Sequence, residues 1–125
     1  MPDYEPGICN IGKAEKRKRY ALGIAGIAAA TSWTVFSPLE PLSSSVVAGM
    51  LFALGSEGFI QGYMGFCAGF AHKGIYDVSG TGDERNSIED PLARKQDLVK
   101  AFQIHLYSLT AGIAAASVLY IGGVF

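Results

Sequence analysis

The feature that most constrains this chain is a set of three long runs almost free of charge. Tyr20–Phe36 (YALGIAGIAAATSWTVF) has no charged side chain over 17 positions. Val46–Ala71 has only Glu57, and in Ile104–Phe125 only His105 titrates near neutral pH. A helix needs about 20 residues to cross hydrocarbon, with a range of roughly 17 to 25. The composition agrees: 50% of residues are hydrophobic and 17% charged, with a mean hydropathy of +0.27. Most of the 16 glycines lie inside the apolar runs, where they weaken a soluble helix but are common in membrane helices. The expected fold is an all-α integral membrane protein with three transmembrane helices. Its single membrane domain covers residues 1–125: helix 1 over about 19–36, helix 2 over about 45–72, an inner loop over 73–90, and helix 3 over about 91–125.

Charge placement gives the orientation. The ten basic residues fall at 13, 16, 17, 18 and 19 and at 73, 85, 94, 95 and 100. None lies in the Ser37–Ser45 connection or in the last 25 residues. The positive-inside rule then predicts an N-in, C-out chain, multi-pass in the cell (cytoplasmic) membrane. A formal net charge of -1 gives no bulk attraction to nucleic acid. KAEKRKR before an apolar stretch resembles the start of a signal peptide. It follows a 12-residue leader, however, and no clean A-x-A site comes after it, so helix 1 is expected to stay.

In the leader, Pro2, Pro6 and Gly7 oppose helix, and Asn10 or Gly12 is the expected cap of helix 1. Tyr20 and Trp33 stand near its two ends, as an aromatic belt requires. SPLEPLSSS turns the chain outside, with serines available to cap helix 2. Gly80 and Gly82 suggest a mobile inner loop, but no lysine stands at Walker spacing and no strand precedes them, so nucleotide binding is not expected. Pro91 after Glu89 and Asp90 is a good helix start. An unbroken helix to Phe125 would be about 52 Å long, so its first third should lie at the interface or project inward.

Helix 2 carries Gly55, Gly58, Gly62, Gly65 and Gly69 at spacings of 3, 4, 3 and 4, one continuous face. In lipid, helices associate through close backbone approach, and small-xxx-small pairs such as Gly58/Gly62 and Gly65/Gly69 permit it. Gly23, Gly26 and Ala30 in helix 1 and Gly112, Ala115 and Ala116 in helix 3 form smaller faces of the same kind. Beside the seam, Glu57 and Gln61 stack one turn apart. Glu57 falls near the middle of its run, where an ionised carboxylate costs at least about 2.5 kcal/mol. Unpaired, it should be neutral and donate a hydrogen bond, with Gln61, Thr31, Ser32, Ser108 or Thr110 as the available acceptors.

Cys9 and Cys67 both fall toward the inner, reducing side, where free thiols are expected. Cys9, Cys67, His72 and His105 could converge as a metal or thiol-transfer cluster, although no C-x-x-C or H-x-x-x-H supports it. There is no Ser/His/Asp arrangement and no acid pair at catalytic spacing, so neither an enzyme nor a bound cofactor is expected.

The stretch CNIGKAEKRKRYALGIAG, the apolar hairpin closing in GYMGFCAGF, and then Tyr76 resemble the YgaP-type membrane hairpin over residues 9–76. The family's marks fall on Asn10-Ile11-Gly12, on Arg17–Arg19 and on Gly65-Phe66-Cys67. The chain departs from the pattern in placing Ala68 where a proline commonly follows the cysteine, and in adding a third helix after residue 91. No rhodanese domain, the frequent companion of such hairpins, accompanies it. The resemblance implies a hairpin prone to dimerise or to tether other proteins, and it draws attention to Cys67.

The function expected from these residues is that of an accessory or scaffold subunit of a larger membrane complex, or a homo-oligomer. Its partners are the lipid bilayer and other membrane subunits or a second copy of itself. Two alternatives are a membrane redox or sulfur-handling protein using Cys67 with Cys9 or His72, and a proton or ion pathway at Glu57. The pathway is disfavoured by the lack of a second intramembrane acid or lysine.

Overall fold

A computed structural model describes residues 3–125. Helix α1 spans Lys13–Phe36, α2 Pro41–Met64, α3 Ala68–Lys73 and α4 Pro91–Ile121, with two-residue strands β1 (Ile75–Tyr76) and β2 (Asn86–Ser87) between α3 and α4. The chain is mostly helical, and α2 and α4 are each long and apolar enough to cross a membrane. Helix α1 has the length, but its basic first turns and the polar TSWT stretch dilute its apolar character. The third span is therefore not carried by length and composition alone.

Both α1 and α4 pack along α2, and no comparable interface joins α1 to α4. The three long helices thus form an open row with α2 in the middle. On one side of α2, a Cβ on Gly58 would stand 2.5 Å from the Gly23 amide nitrogen, and one on Gly26 would stand 2.6 Å from the Gly55 Cα. On the other side, a Cβ on Gly49 would meet the Gly112 carbonyl oxygen at 2.7 Å. These contacts are backbone to backbone, so any side chain at those positions would push the helices apart.

The seam is shorter than the sequence pattern suggests. Helix 2 does not continue to residue 72: it stops at Met64 because Gly65 turns left-handed (φ 66°) and its amide closes back on the Gln61 and Gly62 carbonyls. Gly55, Gly58 and Gly62 face α1, Gly62 against the Tyr20 ring. Gly65 instead caps the helix, and Gly69 lies exposed in α3 with only the Cys67 sulfur near it. The start of α2 is also earlier than expected. Pro41 takes the first helical position, where its missing N–H is harmless. Glu40, rather than a serine, caps the helix, accepting from the Leu42 and Ser43 amides at 3.0 and 2.8 Å. Hydrogen bonding to Ser43, side chain first and then backbone, holds the Glu40 carboxyl below its ordinary range. Ser44 is buried between helices, 2.5 Å from the Ser37 hydroxyl, while its carbonyl accepts from the Trp33 indole at 3.0 Å.

The opposite, basic end is closed by a polar cap. Helix α1 begins at Lys13 after Gly12, and Asn10 does not cap it. Asn10 is fully buried and uses its amide like a paired strand, donating to the Cys67 carbonyl at 3.0 Å and accepting from the Cys67 amide at 2.6 Å. Its carbonyl accepts from the Asp77 amide at 3.0 Å, and Gly12 donates to the Asp77 carbonyl at 2.8 Å. Buried Asp77 gathers the inner loop, accepting from Ser79 at 3.0 Å and Glu84 at 3.1 Å. The loop expected to be mobile is held by this carboxylate and by antiparallel pairing of β1 with β2. Buried Asp97 of α4 fastens the leader through the Tyr4 hydroxyl and the Gly7 amide, each at 2.7 Å. Burial, and then the Asp97 hydrogen bond, pushes the Tyr4 phenol above its usual 10.0. Beneath the cap, Phe66, Ala68 and Ala71 pack on Ala101 and Ile104 of α4.

Candidate functional site

The early end of α2 changes the position of Glu57. Seven residues separate it from Met64, so it lies about 10 Å from the basic end of the helix. It is not at the midpoint that the run Val46–Ala71 suggests, because the last turns of that run belong to α3.

Its partners come from α2 and α4. Gln61 Nε2 donates to Glu57 Oε1 at 3.1 Å, and Ser108 Oγ lies 3.3 Å from Oε2. Thr31 and Thr110, also expected as partners, bond instead to the carbonyls of Ile27 and Leu106 in their own helices. The closest contact is with His105, whose Nδ1 stands 2.8 Å from Oε1. On its far side, His105 Nε2 lies 3.1 Å from His72 Nε2 of α3, and the two rings lie edge to edge with an 8° angle between planes and centroids 5.4 Å apart. Gln61, Glu57, His105 and His72 thus form one hydrogen-bonded file from the buried end of α2 to an exposed histidine.

Tautomers follow from this pairing. An ionised Glu57 accepts from His105 Nδ1–H, which leaves Nε2 as an acceptor for His72 Nε2–H. His72 Nδ1 then faces outward with a free lone pair. The arrangement is possible only because α3 is a separate short helix. Its reversal at Gly65–Cys67 lays α3 against α4 and brings His72 to His105.

A second feature shares Glu57. The groove between α1 and α2 forms a cleft of about 460 Å³ lined by Arg19, Leu22, Gly26, Leu54, Glu57 and Gln61. Arg19 is held by Glu15 at 3.1 Å, and its Nε has no hydrogen-bond partner. The groove is apolar along Leu22 and Leu54 and polar at one end. Because α1 and α4 do not close over α2, it opens sideways from the row of helices.

The thiols serve local structure. Cys67 caps α3, its sulfur accepting from the Phe70 amide at 3.5 Å, and the Cys9 thiol donates to the Ile11 carbonyl at 3.5 Å. Both are free. His72 and His105 of the expected four-residue cluster do come together, but their third neighbour is Glu57 rather than a cysteine. Among the described residues, no group of three or more His, Cys, Asp or Glu side chains is arranged to hold a metal ion.

Sequence reasoning paired Glu57 with Gln61 and placed both histidines in one cluster, but did not join the two groups. His72 and His105 are 33 positions apart, and their pairing depends on the helix break, whose signal is Gly65 followed by Cys67 as an N-cap residue. No protein-family model, no curated protein and no solved structure matches this chain.

Proposed function

We propose that this protein is a small accessory subunit of a larger complex in the cytoplasmic membrane. It crosses the bilayer three times with its basic end inside, and it docks through the open face of its helix row. The observation that carries this reading is the sideways opening of the Arg19–Glu57–Gln61 cleft. Charged and hydrogen-bonding groups facing acyl chains are costly, up to about 2.5–3.5 kcal/mol each at the bilayer centre and less toward the interface. A self-sufficient bundle would close a third helix over such groups. Here α1 and α4 stand apart, and a helix supplied from outside would cover the cleft. The glycine seam supports the same division of labour: Gly23, Gly26, Gly55 and Gly58 are used up inside the hairpin, which leaves the polar cleft as the surface available for recognition. The ten basic residues at one end favour the inside orientation. Such a subunit contributes contact and positioning, and no step of catalysis is assigned to it.

Native mass spectrometry after extraction in mild detergent tests the reading. The expected species is heavier than the 13.2 kDa monomer, and Leu22→Cys or Leu54→Cys at the cleft rim should cross-link to whatever co-migrates. A clean monomer whose cleft cysteines react only with lipid-phase reagents would overturn it.

A further inference from the structure

We propose that His72, His105 and Glu57 form a proton-entry path that runs from the basic end of the molecule to the α1–α2 cleft and stops there. The proposal rests on the reading that α2 and α4 lie in a bilayer, and it does not depend on which partner covers the cleft.

Three observations carry it. The contacts are in line and within hydrogen-bond reach: 3.1 Å from His72 Nε2 to His105 Nε2, then 2.8 Å from His105 Nδ1 to Glu57 Oε1. The two ends differ in surroundings. His72 is exposed, whereas the Glu57 side chain is 24% exposed and lines the cleft. Beyond Glu57 the path has no continuation. Residues 20–36 of α1, 41–56 of α2 and 106–121 of α4 contain no Asp, Glu, His, Lys or Arg.

The proton balance is simple. Water at the basic end gives a proton to His72 Nδ1. The His72 Nε2–H passes to His105 Nε2, and the His105 Nδ1–H passes to Glu57. One proton has entered, Glu57 has become a neutral acid, and both neutral rings hold the opposite tautomer. Return of the proton by the same route, or its transfer to a basic nitrogen or a carbonyl oxygen that the covering partner presents in the cleft, discharges Glu57. After an onward transfer each ring regains its starting tautomer by exchange with water, losing the N–H proton at one nitrogen and taking a proton at the other, with no net change in proton count. Besides His105, the groups facing Glu57 are Gln61 and Ser108. Arg19, across the cleft on α1, is the one cation lining it among the described residues. Histidine is suited to this role because its charge changes within the physiological pH range.

The same stopping point separates this device from a channel. Alone, the chain loads and unloads one proton from one side and does not carry it across.

The test is the exchange with water of the proton shared by His105 and Glu57, followed in lipid nanodiscs as a low-field resonance coupled to 15N-labelled His105 Nδ1. Wild type should exchange readily with the basic-end compartment. His72→Phe, which keeps an aromatic ring at the position and removes the entry nitrogens, should slow exchange at least tenfold, with the helical spectrum and the Nδ1–H tautomer of His105 unchanged. His72→Gln checks that the effect follows from loss of the imidazole rather than from packing. Fast exchange in wild type and in both variants would mean that water reaches the pair without His72, through the His105 side chain, which is 41% exposed, and that overturns the path. Slow exchange in all three would overturn it as well. Proton flux across sealed vesicles containing only this chain would overturn the stopping point.

Discussion

The middle of the helix row and the basic end of this molecule hold the same three helices by opposite means. In the middle, α2 meets its neighbours through bare backbone: Gly58 against Gly23, Gly55 against Gly26, and Gly49 against Gly112. At the basic end, the joints are side-chain hydrogen bonds to buried Asn10, Asp77 and Asp97. The proposed bilayer placement accounts for the difference. In lipid, apolar surface gains little by leaving one apolar environment for another, so only closer approach adds attraction. At the aqueous end, ordered loops must satisfy their own backbone groups, and a short polar side chain can serve several amides at once.

This contrast can be broken by substitution, with the largest effect on the glycine side. Gly58→Leu places atoms where the Gly23 backbone already stands and has no rotamer that avoids it. Overpacking costs about 1–3 kcal/mol in soluble cores, and a backbone contact should reach the top of that range or beyond. Loss of helix 1–helix 2 proximity, measured by spin-label distances in nanodiscs, is the expected outcome. Unchanged distances would mean that the close approach is not needed.

In the cap, Asn10→Ala strands the buried N–H of Cys67 and leaves its carbonyl only the bond from the Ala71 amide at 3.1 Å. An unsatisfied buried group costs about 1–3 kcal/mol, so the α2–α3 corner should open and amide exchange at Cys67 should rise by about one to two orders of magnitude. Gly58 contacts should be unaffected. If both loosen together, the two regions are one cooperative unit and the contrast is false.

Asp97→Ala releases Tyr4 and Gly7 together. Faster proteolysis of the leader is expected, with stability lowered by about 1–2 kcal/mol and α4 still docked on α2. Tyr4→Phe, the mildest change, removes one of these bonds at a cost of about 1 kcal/mol.

The Tyr4 hydroxyl also gives the cap a pH limit. Its folded pKa lies above the unfolded value of 10.0. Its contribution is therefore complete below pH 10 and is lost as pH rises through the folded value. Leader release monitored by tyrosine absorbance should begin above pH 10 in wild type and show no such step in Tyr4→Phe.

The helical class and the two longest apolar helices were legible from run length alone, because hydrocarbon thickness sets a length that few other demands impose. The glycine faces were legible as far as Gly62. They misled at Gly65 and Gly69, because a 3–4 spacing continues on paper through a residue whose backbone has turned left-handed. Glu57 could be found by its chemistry, and with it Gln61 and Ser108, but His105 could not. His105 is identified only when α3 folds back and α4 lies along α2, a matter of tertiary geometry that periodicity does not encode. The cap was the least legible part. Asn10 read as one of two candidate helix caps, of which Gly12 takes the position, since nothing local announces that one asparagine will serve a cysteine 57 positions away.

That asparagine also sets an order of assembly. The leader is made first, but the backbone it binds at Gly65–Cys67 does not exist until α2 has been completed. Bringing two points so distant together from a slack chain carries an entropic penalty that grows with the length of the intervening loop. Once α1 and α2 have zipped into a hairpin, most of that loop is already fixed and the remaining search is short. The leader should therefore latch last, and a ribosome-bound chain that has not yet emitted Cys67 will carry a loose N-terminus.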